Sequence, residues 1–408
     1  MSIPIFIASA VRTPIGRIRG ALADARPDDL AALAIKEAVE QSGAPAAAID
    51  EIIYGNANGA GEENRNVARM AGILAGLPLS VPGITVNRLC ASGMSAITMA
   101  QHMIAANAAE VVVAGGVESM TRAPWVLGKS SLPWGGPGEV KDTSIGWRFT
   151  NPQFESGELS RDGKMTYSMP QTAEAVAEFY RVSREDCDVF AYNSHQRALQ
   201  AIEAGYFNEE TVPVEIQGRQ GKTSVVDTDD GPREDTSIEV LSGLRAVVPG
   251  GSVVTAGNAS SLNDGASALV IASENAINQY GMRPLARIVG GTSVGLEPEI
   301  MGMGPVPATR KLMRKHNLSI EDFKTVELNE AFASQSLACI RELGLKPEIV
   351  NPTGGAIALG HPLGASGARI VATLVHRMKR ENYQAGEVGL ATMCVGVGQG
   401  AALAVEAV

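Results

Sequence analysis

Along the chain, runs that are apolar on both faces alternate with longer stretches whose apolar positions recur at helical spacing. Ile3 to Ala10, Val111 to Gly116 and Val388 to Cys394 are runs of the first kind, too continuously apolar for strands with one wet face. Ile49 to Tyr54 and Phe323 to Leu328, which also carry Asp50, Glu51, Lys324 and Glu327, read as strands of the same buried mixed sheet. Residues 28–42 show the second kind. Asp28 or Asp29 is placed to cap a helix, Leu30, Leu33 and Ala34 form one face, and Gly43 is placed to end it. The order of elements repeats. A strand at 49–56, Cys90 ahead of a helical pattern, and a strand at 111–116 are echoed by a strand at 323–328, His361 ahead of a helix at 366–380, and a strand at 388–394. The pattern predicts an α/β fold of two duplicated halves. The first is 1–120, completed by about 251–282, and the second is 283–408. Between them, 121–250 differs in character. It holds all three tryptophans (Trp125, Trp134, Trp147), Gly/Pro turns and a charged helix-like stretch from Thr172 to Ala204, so it reads as an inserted loop subdomain.

Composition narrows the function classes. The 408 residues are 45% hydrophobic and 19% charged, as in an ordinary globular enzyme. Aromatics make up only 4% while glycines number 45, and the formal charge is −10. Scarce aromatics and an acidic balance argue against a nucleic-acid-binding platform. Cys90, Cys187, Cys339 and Cys394 show no CxxC spacing and no disulfide framework, so no metal is expected and a reducing, cytoplasmic compartment is. Val388 to Val405 is apolar enough to raise a membrane helix. Its four glycines favour strand–turn–strand instead, and no membrane association is expected.

Four positions carry candidate chemistry. Cys90 opens a helical pattern, where free amides and the helix dipole are expected to lower a thiol pKa and to bind an oxyanion. On position alone it reads equally as a small buried apolar residue. His361 lies in a frame of Gly354, Gly355, Gly360, Pro362 and Gly364, which lets the loop present an imidazole into a cleft or simply bond a carbonyl. Cys394 ends a strand ahead of Gly396, Gly398 and Gly400, and Asn329 stands at the corresponding strand–loop junction.

Taken together, Asn87-x-x-Cys90-x-Ser92-Gly93, Asn329-Glu330-Ala331-Phe332, Gly354-Gly355 through Gly360-His361-Pro362, and Cys394-x-Gly396 resemble the motifs of the thiolase family, in its order. The likeness extends over essentially the whole chain, including Val11-Arg12-Thr13-Pro14 near the start and Thr255 to Ser260 before the C-terminal half. It implies two related α/β halves in a five-layer αβαβα arrangement and a dimer or tetramer. It also implies an acyltransferase with coenzyme A and acyl-CoA as substrates and no tightly bound cofactor. By this resemblance Cys90 would carry the acyl group as a thioester and His361 would take its proton. Cys394 would be the acid–base for the departing enolate. Asn329 would hold a water completing one oxyanion hole, and the amides of Cys90 and Gly396 would form the other. Ser260 would contact the pantetheine amide, Arg233 would lie near the nucleotide phosphate, and Met169 and Met301 would line the acyl and pantetheine channel. Both methionines read equally as core filling.

Two departures bear on substrate. Ser168-Met169 stands where short-chain acetoacetyl-type thiolases commonly have His-Met, and Ser261 where they have Gly. Ile145-Gly146-Trp147-Arg148-Phe149, Ser168-Met169-Pro170 and Met393 to Gly400 look instead like thiolases of the 3-oxoadipyl-CoA type. A dicarboxylic acyl chain needs a cation or several donors, and Arg148 is a candidate, with a surface or coenzyme A role open beside it. The alternatives are an acetoacetyl-CoA thiolase, a ketoacyl-synthase-type condensing enzyme and a silent acyl-CoA-binding protein. Cys394 weighs against the condensing enzyme, and the intact set of Cys90, His361 and Cys394 weighs against the silent protein.

Overall fold

A computed structural model describes residues 3–217 and 223–408. Nine strands carry the fold: β1 (Ile5–Arg12), β2 (Glu51–Gly55), β3 (Gly83–Val86), β4 (Val111–Ser119), β5 (Asn263–Ser273), β6 (Ala286–Gly295), β7 (Phe323–Leu328), β8 (Val388–Val395) and β9 (Gln399–Glu406). They form one sheet in the order β7-β8-β9-β6-β1-β5-β4-β2-β3, with the short strand Gly16–Arg17 beside β5. The pairing pattern runs twice. β2 and β4 are parallel, and β4–β5 and β5–β1 are antiparallel; β7 and β8 are parallel, and β8–β9 and β9–β6 are antiparallel. The two sets join only where Phe6 and Ile7 of β1 meet Arg287 and Ala286 of β6.

The continuous apolar runs have a direct cause: both faces of every central strand are covered. On β4, Val112 and Ala114 face one core, while Val111 and Val113 face another. The first core holds α3 (Ser92–Ala105) and the C-terminal helix Leu363–Arg380, which lie side by side between the two sets of strands. The second buries Leu30, Ala34 and Ile35 of α1 (Pro27–Ser42) and Ala68 and Ala71 of α2 (Val67–Leu74). A third lies beneath helices Pro305–His316 and Ala333–Leu343 on the outer face of β8 and β9. Helix, sheet, helix pair, sheet and helix make five layers. Gly93 permits the central contact, since a Cβ there would sit 2.8 Å from the Ala368 nitrogen.

Some local expectations are revised. Helix α1 takes Arg26 as its N-cap, without a side-chain cap bond, and starts on Pro27. Asp28 and Asp29 do not cap it because both fall inside its first turn, where the Asp28 carboxylate receives the Arg26 guanidinium at 2.9 and 2.8 Å. Gly43 ends the helix at φ 75°. The Thr172–Ala204 stretch is two helices, α4 (Met169–Tyr180) and α5 (Arg184–Glu203). Arg181 breaks it at φ 53°, and the Ser183 side chain starts the second helix by accepting from Asp186 N. The C-terminal apolar stretch is the hairpin of β8 and β9, turned through Val397 and Gly398 at positive φ. Among the described residues no helix is long and apolar enough to cross a membrane.

Segment 121–250 is tied to the sheet by a buried ion cluster. Arg12, at the end of β1, reaches Glu210 at 2.6 Å and Asp229 at 2.7 Å. With all three side chains inaccessible to water, losing one partner would leave a buried charge uncompensated.

Candidate active site

Cys90 sits in a tight 3-10 turn, Leu89–Ala91, immediately before α3. Leu89 adopts φ 46°, an uncommon conformation for a branched side chain, and the neighbouring motif residues hold it. Asn87 Oδ1 accepts from Leu89 N at 2.9 Å while Asn87 Nδ2 donates to Ala57 O. Ser92 Oγ accepts from Arg88 N and donates to Leu89 O at 2.6 Å. The motif's Asn and Ser therefore build the turn that presents the sulfur.

Two cavities meet at that sulfur. One, of about 330 Å³, is walled by Cys90, His361, Cys394, Met169, Ser260 and Met301, together with Phe332 and Ser261. The other, of about 410 Å³, is walled by Cys90, Gly396, Arg148, Asn58 and Trp147 among others. Ser168 and Met169 line both. The Ser168 hydroxyl and backbone N–H both donate to Gln171 at the start of α4, so this position shapes the cavities and starts a helix at once.

His361 is oriented by its neighbours. Its backbone N–H donates to Asn263 Oδ1 at 2.8 Å, and its Nδ1 lies 2.6 Å from Ser366 Oγ. Ser366 already donates its single proton to Pro362 O, so the imidazole proton resides on Nδ1 and is given to Ser366. Nε2 is thereby left as a bare acceptor, 3.5 Å from Asn329 Nδ2. Burial, with the Arg369 cation adding to it, lowers the His361 pKa to about 3. The ring is a neutral base at physiological pH.

The thiols differ from the sequence expectation. Burial pushes Cys90 up to about 11, although the backbone amides of Gly396 and Cys90 itself oppose the rise. Cys394 is pushed well above the ordinary thiol range, first by burial and then by the neighbouring Cys90. Desolvation outweighs the amides and the helix start that were expected to lower the Cys90 pKa. The resting pair is thus a neutral thiol and a neutral imidazole.

Of the ten site residues expected from the sequence, eight line one or both cavities; Asn329 and Arg233 line neither, and Asn329 reaches the site through His361. Arg233 is exposed, its backbone N–H donating to His195 Nδ1 at 3.2 Å. Sequence reasoning missed Ser366, Asn263 and Asn58, which carry no pattern of their own. It also missed Glu118, buried on β4, which accepts from Ala57 N, Asn58 N and Gly364 N. Burial pushes Glu118 up to about 7, while those amides hold it down.

Residues 5–275 match the model of the thiolase N-terminal domain, and residues 282–407 that of the thiolase C-terminal domain. The chain belongs to the thiolase family. A beta-ketoadipyl-CoA thiolase of Pseudomonas aeruginosa is 56% identical over 100% of both chains. A 3-oxoadipyl-CoA/3-oxo-5,6-dehydrosuberyl-CoA thiolase of Escherichia coli K12 is 50% identical over 99% of both. The crystal structure of the Bacillus anthracis acetyl-CoA acetyltransferase superposes with a TM-score of 0.91 at 42% identity, covering 100% of this chain and 99% of that one. The five-layer α/β architecture is therefore the thiolase fold.

Proposed function

We propose that this thiolase cleaves 3-oxoadipyl-CoA with coenzyme A, giving succinyl-CoA and acetyl-CoA, or runs the reverse condensation. The observation that carries the reading is the opening of Cys90, His361 and Cys394 onto one cavity, with Asn329 behind the imidazole. The named relatives at 56% and 50% identity support the substrate.

In the cleavage direction Cys90 attacks the 3-keto carbon of the substrate as its proton passes to His361 Nε2. Nε2 then becomes the donor facing the carbonyl oxygen, while Ser366 holds the Nδ1 proton throughout. Negative charge on the tetrahedral oxygen falls on preorganised donors, each worth about 3 kcal/mol where one has been removed in comparable sites. Bond cleavage releases the acetyl-CoA enolate, which Cys394 protonates. A high thiol pKa suits that step, because Cys394 enters it carrying its proton. Coenzyme A then attacks the succinyl thioester, giving its thiol proton to the Cys394 thiolate, while the Cys90 sulfur leaves and takes back its proton from His361 Nε2. Ser260, Met169 and Met301 would line the pantetheine and acyl channel, and Arg233, at the surface, would meet the nucleotide phosphate.

We propose further that the chain assembles as a dimer or tetramer in the cytoplasm. Exposed Ile84 on edge strand β3 and exposed Trp125 and Trp134 support assembly, and four free cysteines suit a reducing compartment. The primary test compares kcat/KM for 3-oxoadipyl-CoA and acetoacetyl-CoA at saturating coenzyme A. A preference of about tenfold or more, about 1.4 kcal/mol, is expected for the dicarboxylic substrate. Preference for acetoacetyl-CoA would make this a short-chain enzyme. Cys90→Ala should abolish turnover. Cys394→Ala should still acylate at Cys90 yet fail at carbon–carbon chemistry, and normal cleavage by it would reassign the acid.

A further inference from the structure

The 410 Å³ cavity beside Cys90 has an uneven charge. Arg148 is its only charged wall residue among the described residues; the others are apolar or neutral polar. The side chain is half-buried and is not in an ion pair with any described residue. Its Nη2 donates instead to the neutral Asn58 Oδ1 at 3.1 Å.

Asn58 is held so that this contact is unambiguous. Its Nδ2 lies 3.0 Å from both Thr143 O and Thr143 Oγ1. Thr143 Oγ1 spends its own proton on Pro124 O at 2.6 Å, so both Thr143 oxygens accept, and the Asn58 amide nitrogen must face them. The Asn58 oxygen therefore faces the guanidinium. Behind it, Asn58 N donates to Glu118 Oε1, and Glu118 Oε2 accepts from Gly364 N in the loop that carries His361. The guanidinium is thus positioned by a neutral group, and among the described residues it has no ion-pair partner and makes no other hydrogen bond.

We infer that Arg148, positioned by Asn58, is the anchor for the distal carboxylate of a dicarboxylic 3-oxoacyl chain and sets the preference for such substrates. This rests on the thiolase reading of Cys90. The succinyl group held on that sulfur would end in a carboxylate, and Cys90 and Arg148 border one cavity of about 410 Å³ that could receive its chain. A guanidinium receives a carboxylate through paired donors, which an ammonium cannot reproduce.

The test uses the full-length enzyme, with Arg148→Met and Arg148→Lys. Thiolysis of 3-oxoadipyl-CoA is compared with that of 3-oxohexanoyl-CoA, which has a methyl group in place of the carboxylate. Arg148→Met is expected to lose about 10- to 100-fold in kcat/KM on 3-oxoadipyl-CoA, the worth of hydrogen bonds to a charged group. The loss on 3-oxohexanoyl-CoA should be much smaller, so the ratio between substrates collapses, and Arg148→Lys should fall between Met and wild type. Equal losses on both substrates would overturn the inference, by making Arg148 a coenzyme A contact or a support for its loop. No loss on either would overturn it as well. The thiolase reading survives both of those outcomes. A wild-type enzyme that does not prefer 3-oxoadipyl-CoA over 3-oxohexanoyl-CoA would instead sink the substrate reading, and the anchor with it.

Discussion

Replacing Ser366 with alanine tests whether the His361 tautomer is set by one buried hydroxyl. Ser366 is fully buried, accepts the Nδ1 proton at 2.6 Å and donates to Pro362 O at 2.9 Å. Alanine leaves the Nδ1–H without a partner, and an unsatisfied buried donor costs about 1–3 kcal/mol. The ring can avoid that cost by moving its proton to Nε2, which removes the base facing the cavity. Reaching the active tautomer then costs the same 1–3 kcal/mol, so acylation of Cys90 should slow by about 5- to 150-fold. The assay is single-turnover acylation by acetyl-CoA, quenched and followed by mass spectrometry of Cys90. Ring-nitrogen NMR of His361 should show the proton shifted toward Nε2 in the variant, a change that simple loss of packing would not produce. Acylation within about twofold of wild type, with an unchanged ring signal, would refute the tautomer argument.

His361 also makes stability depend on pH. Its folded pKa of about 3 lies below the ordinary 6.5, so between those values the folded chain binds fewer protons than the unfolded one, and stability falls as pH falls. By pH 5 the loss from this group is about 2 kcal/mol, so urea melts at pH 7 and pH 5 should show His361→Asn losing about that much less than wild type. Equal losses would show that the ring is not held neutral by burial. Gly93→Ala should destabilise by about 3 kcal/mol, because its Cβ would meet the backbone of the central C-terminal helix, at Ala368 N and Gly364 O. An unchanged denaturation midpoint would mean that the two central helices can separate freely.

The motif residues were legible because their chemistry is local. A Cys or His framed by glycines, or an Asn after an apolar run, is written in a few consecutive positions. The strands were legible too, since continuous apolar runs require cover on both faces, as Val111 to Ala114 have. The break at Arg181 and the Pro27 start of α1 were not read from the sequence although their signals are local, a Ser183 cap on Asp186 N and a proline at the first helical position.

By itself, then, the sequence determined the α/β class, the order of the elements and which cysteines and histidine share one cavity wall, all of which follow from hydrophobic period and residue chemistry. Only the tertiary structure decided their electrical state and their company. Burial, not helix position, sets the Cys90 and Cys394 thiols high and His361 low, because desolvation depends on every layer packed around a group. Ser366, Asn263 and Asn58 join the site from positions that carry no signal, because a hydrogen bond needs only a donor and an acceptor within reach, and the fold alone brings them there.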